Sequence, residues 1–223
     1  MKKHAVFFSA GVLAACAAGA WIPKVISEIP GIFVSAASQE ISENMTLESD
    51  MTVDGDLILS GGTLDLNGHK LTVKGSLWHR AGILKVQDGA TLKITGDYQM
   101  RLTTASVGSG ELRLTGTGTN LIDVDGSVYI ASTINRSYWQ TNGTLRIGGD
   151  LKVWAPENGI GLEMQEGTVV TFKGDVQHEI FFEQADKSYM EHVAMTDKGS
   201  LYLTGNTSGF TLDSDVTLAK DSV

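Results

Sequence analysis

The chain of 223 residues contains a single cysteine and three prolines. One cysteine excludes a disulfide framework and any zinc site built from several thiolates. Three prolines beside 26 glycines mean that the turns rely on residues free to adopt positive φ, not on rings that fix it. Basic residues are also scarce, with Lys and Arg numbering 17 against 26 Asp and Glu, a net charge of −9. Nucleic acid held through its phosphates needs clustered cations, so the acidic balance argues against that function class. After Ser38 no stretch repeats apolar residues at three-and-four spacing for more than two turns, which leaves no basis for a helix. The nearest approach, Phe181 to Met195, reads as two strands with a loop between them from Glu183 to Ser188. A Gly-x-Ser-x-Gly elbow, a phosphate loop and the Gly-Gly-x-Gly-x-Asp calcium signature are all missing.

Apolar residues make up 42% of the chain, enough for a substantial core. The first of them are clustered. Met1-Lys2-Lys3-His4 is a short basic start, and an uncharged, alanine-rich run follows from Ala5 to Ile22. That order is the signature of an export signal, so residues 1–37 are expected to be a signal peptide. Small residues at Val34-Ser35-Ala36 and Ser35-Ala36-Ala37 suit cleavage near Ala37, just before polar Ser38-Gln39-Glu40. Leu13-Ala14-Ala15-Cys16 resembles a lipobox and offers lipidation at Cys16 instead, although the residues after Cys16 stay apolar as far as Val34. A retained membrane anchor is the third possibility. Cleavage near Ala37 leaves a more acidic, cysteine-free chain suited to an oxidising exterior.

Residues 38–223 are built on one recurring phrase. Gly62-Thr63-Leu64-Asp65-Leu66-Asn67-Gly68 leads into His69-Lys70-Leu71-Thr72-Val73-Lys74-Gly75-Ser76-Leu77. The phrase returns as Gly82-Ile83-Leu84-Lys85-Val86-Gln87-Asp88-Gly89 and Ala90-Thr91-Leu92-Lys93-Ile94-Thr95-Gly96-Asp97-Tyr98. Each half alternates apolar and polar residues, the period of a half-buried strand. Short strands, glycine bends and a repeat near one coil length predict an all-β fold: a right-handed, single-stranded parallel β-helix, or solenoid, over 38–223. Asn67-Gly68 also suits a two-residue hairpin, so an antiparallel sandwich or barrel is the competing fold.

These residues, from Asn44 to Gly75 and on through Gly96-Asp97-Tyr98, resemble a repetitive β-strand module of secreted and surface proteins of clostridia and related Gram-positive bacteria. Thr168-Val169-Val170-Thr171-Phe172-Lys173-Gly174 and Gln177-His178-Glu179-Ile180-Phe181-Phe182 are similar to its later strands. The resemblance spans about residues 44–218 and is looser after Thr103. It implies a filamentous-adhesin-like surface β-helix and brings no catalytic residues with it.

Candidate chemistry is sparse. Asp54-Gly55-Asp56, Asp123-Val124-Asp125 and Asp213-Ser214-Asp215 place two carboxylates on one face of a strand, the start of a calcium site but too few ligands to complete one. Metal contact at Asp54, Asp56, Asp123 and Asp125 is therefore a weak candidate beside the reading as acidic turns. His69, His79, His178 and His192 read as surface or turn histidines. Trp78, Trp139 and Trp154, with Tyr98, Tyr129 and Tyr138, are candidates for a sugar-stacking or partner-binding strip. Tyr138, Trp139 and Trp154 are the ligand-binding candidates among them, because Tyr138-Trp139 sits in a polar stretch.

Three functions fit. The first is a secreted or cell-surface structural or adhesive module with no catalytic site and no cofactor. It would meet an extracellular polysaccharide or protein, or its own copies through an uncapped β-helix end, and would touch the membrane only through its signal. The second is a carbohydrate-binding or polysaccharide-lyase-like β-helix, for which Arg101, Arg113 and Asp123 are loosely placed candidates. The third is a self-assembling polymer like the cytoplasmic bactofilins, which the export signal opposes.

Overall fold

Alternation decides each strand. Thr91–Ile94 buries Leu92 and Ile94 and turns Thr91 and Lys93 outward, and Val128–Ile130 repeats the pattern with Tyr129 outward. The computed structural model describes residues 38–117, 119–133, 141–154, 161–165, 167–206, 211–212 and 216–218. The fold is all-β, and the only helical turn among these residues is a 3-10 turn at Ala185–Lys187. That turn lies inside the segment expected to be a loop between strands Gln177–Phe182 and Val193–Met195. Residues 36–223 form one compact unit.

Among the described residues every pairing between strands is parallel, and strands stack from one repeat to the next. Sheet I has eight strands: Gln39–Ile41, Leu57–Leu59, Leu77–His79, Tyr98–Met100, Val128–Ile130, Leu151–Val153, Gln177–Phe182 and Ser200–Gly205. Sheet II has Met45–Thr46, Thr63–Asp65, Ala81–Gln87 and Ser109–Thr115. Sheet III has Met51–Val53, Lys70–Val73, Thr91–Ile94, Leu121–Val124, Gly143–Ile147, Thr168–Phe172, Val193–Met195 and Val216–Leu218. In later repeats the short sheet IV, with Glu163–Met164, Tyr189–Met190 and Thr211–Leu212, takes the place of sheet II in the strand order. Leu64 pairs with Leu84 and Leu71 with Leu92, each one repeat on. This is the strand stacking of a parallel solenoid, and it excludes the antiparallel sandwich.

The Asn-Gly signal is satisfied without a hairpin. Asn67 and Gly68 have φ of 47° and 78°, and the His69 N–H donates to the Leu66 carbonyl at 2.8 Å. Asp88 and Gly89 do the same at 59° and 86°, with Ala90 N–H on the Gln87 carbonyl. Positive φ at both central residues is the chemistry of a type I′ turn. Here the flanking strands belong to sheets II and III, so the turn makes a corner.

A second corner explains the Gly-Asp and Gly-Ser pairs. Backbone N–H groups of Gly75, Gly96, Gly126 and Gly149 each donate to the preceding repeat's glycine carbonyl, at Gly55, Gly75, Gly96 and Gly126. Beside them runs a side-chain ladder. Asp56 Oδ1 accepts from Ser76 N–H, Ser76 Oγ from Asp97, Asp97 Oδ1 from Ser127, Ser127 Oγ from Asp150, and Asp150 Oδ1 from Glu179. Corner amides that a strand ladder would leave orphaned are thus satisfied by the next coil. A Cβ on Gly96 would lie 2.9 Å from the Gly75 backbone, so backbones this close need glycine.

Inside, the columns are continuous. Leu57, Leu77, Tyr98, Val128, Leu151 and Ile180 follow one another in sheet I, and all are buried. Leu71, Leu92, Ile122, Leu145, Val170 and Val193 do so in sheet III.

Candidate functional site

Most inward positions hold apolar side chains, so most of the polar chemistry stands on the outward positions. On sheet I the register aligns Trp78, Gln99, Tyr129, Lys152 and Phe181 in one outward column. Just past the ends of strands Leu77–His79, Tyr98–Met100 and Leu151–Val153 stand Arg80, Arg101 and Trp154. The guanidinium of Arg101 lies 4.4 Å from the centre of the Tyr129 ring and 5.6 Å from that of Trp154. Tyr129 and Trp154 are nearly parallel, 13° apart with centres at 6.3 Å, and Trp154 meets Phe181 at 5.5 Å. The Arg101 Nε donates to Gln99 Oε1 at 2.6 Å, and Gln99 Nε2 donates to Asp97 at 3.2 Å. Arg80 stands 5.9 Å from the Trp78 ring. Its Nε is buried without a hydrogen-bond acceptor. After Arg101, the turn Thr103–Ser106 is flanked by exposed Leu102 and Val107.

Trp78 and Tyr129 thus stand on one face of sheet I, and Trp154 packs beside Tyr129. Tyr98 does not share that face, because its strand position points inward and its ring is fully buried. Tyr138 and Trp139 lie outside the described residues, as do Cys16, Asp213 and Asp215. Gln99, Arg80 and Phe181 escaped the sequence reading. Their signal was available in the alternation: Gln99 and Phe181 stand on the outward parity of their strands, and Arg80 continues that parity one residue past its strand.

A second cluster sits on sheet III. Asp123 is aligned with Lys93 and Arg146 on the flanking strands. Its oxygens meet Lys173 Nζ at 2.5 Å, Lys93 Nζ at 3.2 Å and Arg146 Nε at 3.5 Å. Asp125 Oδ1 meets the same two lysines at 2.5 and 2.6 Å. Burial works to raise both carboxyls, but the two ammonium groups outweigh it and hold both below the usual range. Lys173 is likewise held above its usual value: the two carboxylates overcome the opposing effect of burial. A general base needs a free lone pair near neutral pH, and a general acid needs a raised pKa. Opposite shifts of this kind are mutual neutralisation instead. Asp54 pairs with Lys74 at 2.8 Å, and Asp56 is committed to the corner ladder. Arg113 donates to Glu111 at 2.6 Å on sheet II, Asp123 stands on sheet III, and Arg101 follows a strand of sheet I, so the three do not share a sheet. Among the described residues no three His, Cys, Asp or Glu converge as metal ligands.

Two histidines expected at the surface are in the core, because both fall on inward strand positions. His79 is fully buried, with Nε2 3.0 Å from the Gly82 carbonyl and Nδ1 3.0 Å from the Tyr98 hydroxyl. A carbonyl only accepts, so Nε2 carries the proton and the Tyr98 O–H donates to Nδ1. Burial, partly offset by the Gly82 carbonyl, lowers the His79 pKa to about 4. Burial also pushes the Tyr98 hydroxyl up. His178 donates from Nδ1 to the Gly149 carbonyl at 2.7 Å and packs on Phe172. Both are structural plugs between coils.

No protein-family model matches the chain, and no curated protein or solved structure matches it either.

Proposed function

We propose that the chain is an exported structural or adhesive module, a right-handed, single-stranded parallel β-helix that presents its outer side chains to the cell exterior. The observation that carries this reading is the unbroken parallel register, which turns every outward position into a column repeated along the stacking direction. Such surfaces suit extended partners better than small molecules. The neutralised cluster around Asp123 supports a role without catalysis. The basic and apolar residues 1–37 support export, with release near Ala37 or a lipid at Cys16, and the likeness to clostridial surface modules points the same way. The aromatic strip on sheet I favours carbohydrate contact as the second reading.

Expression of the full chain in a Gram-positive host tests the proposal. The product is expected in the medium with Ser38 as its first residue by N-terminal sequencing, or on the cell surface with a blocked N-terminus at a lipid-bearing Cys16. Full-length protein retained in the cytoplasm would overturn the assignment.

A further inference from the structure

The chain is strongly acidic, and most cations on its sheet faces have an acidic partner. Lys74, Lys85, Lys93, Arg113, Arg146, Lys152 and Lys173 each meet a carboxylate within 4 Å. Arg101 has Gln99 and the Thr104 carbonyl. Arg80 differs from the other described arginines: among the described residues its guanidinium has neither a hydrogen bond nor an ion pair, and it stands 5.9 Å from the centre of the Trp78 ring. Its Nε is buried without an acceptor, so that one donor has lost water and gained nothing, while the rest of the half-exposed fork faces outward. A planar, permanently charged fork of this kind matches a carboxylate in two-point fashion.

The surroundings restrict what could bring that carboxylate. Aromatic rings occupy the same face at Trp78, Tyr129, Trp154 and Phe181, with Gln99 and Arg101 buried between them and hydrogen-bonded to each other. The columns repeat at the spacing of hydrogen-bonded strands, about 4.8 Å. One pyranose unit advances a polysaccharide by nearly the same distance. Resting on the adhesive reading above, we propose that this face of sheet I is a binding track for a polysaccharide of uronic acids. The chain lies along the stacking direction, with a sugar carboxylate on Arg80 and sugar rings against Trp78, Tyr129 and Trp154. A free small acid would gain one ion pair and none of the ring contacts, so the track is selective for polymer.

Affinity electrophoresis of the full chain tests this, in gels containing polygalacturonate, its methyl ester, xylan or poly-glutamate. Retardation is expected in polygalacturonate alone. Arg80→Gln and Trp78→Ala should each weaken it at least about tenfold, with melting curves checked for both, while Lys70→Gln on sheet III leaves it unchanged. Equal retardation by the methyl ester or by poly-glutamate, or retardation that survives Arg80→Gln, overturns the proposal. Failure to bind any of the polymers overturns it too. Retardation by xylan alone overturns the uronate assignment and leaves an adhesive role standing. Cleavage of polygalacturonate that depends on Arg80 supports the track and removes the non-catalytic reading instead.

Discussion

His79 shows how one buried side chain sets a pH response. Its pKa is about 4 in the folded chain and near 6.5 when unfolded. Between these values the unfolded state binds the extra proton, so stability rises with pH across that window. The contribution is fully present above 6.5 and is lost as pH falls to 4, amounting to about 3 kcal/mol. Urea unfolding at both pH values should show this loss in the native chain and much less of it in His79→Gln, which keeps a donor and an acceptor but does not titrate. An equal loss in both would remove His79 as the cause. At the corner, Asp97→Ala orphans the Ser127 amide and should cost about 1–2 kcal/mol, with Asp97→Asn recovering most of it. Thermal melts of the three proteins decide the point. The alternation placed both His79 and Tyr98 on inward parity, so their burial was readable. The hydrogen bond between them was not, since it joins side chains from neighbouring repeats.

At the scale of the element, the same dipeptide serves two architectures. Asn67-Gly68 has the backbone of a hairpin turn but leaves its strand at a corner, because Leu71 finds Leu92 one repeat on and not Leu64 opposite. Local turn chemistry fixes φ at two residues and says nothing of which strand the chain will meet. The glycine before each Asp or Ser is a different constraint, one of distance. Gly96→Ala forces a Cβ to 2.9 Å from the Gly75 backbone, and a loss of about 2–4 kcal/mol is expected from that strain. Leu92→Ala, in the middle of the sheet III column, should cost a similar 2–5 kcal/mol by opening a cavity between coils. If chemical denaturation finds either variant within 0.5 kcal/mol of the native chain, roughly the scatter expected for a surface change, the packing described here is wrong.

The molecule as a whole is held by nearest-neighbour coils and by charge ladders that cross them. Asp123 and Asp125 have pKa values lowered by Lys173 and Lys93. Their stabilisation is present above the unfolded carboxylate range, near 3.9, and disappears as pH falls through the lower folded values. Lys173→Met should therefore reduce stability at neutral pH and shrink the acid-induced loss, as read from melting temperatures across pH. Because neighbouring coils supply most contacts in such a fold, removing one whole coil, residues 77–97, should preserve a cooperative melt: Tyr98 then occupies the register of Leu77. Removing half a coil, residues 77–87, should abolish it, since every later inward residue loses its column. The strand parity, the glycine corners and the repeat were determined by the sequence alone, because they depend on contacts within a few residues. The ladder from Asp56 to Glu179, the Arg101 stack and the unpaired Arg80 were decided only by the tertiary structure. Repeat lengths drift from 20 residues to 30, so side chains that meet across coils stand at no fixed spacing that a linear reading could follow.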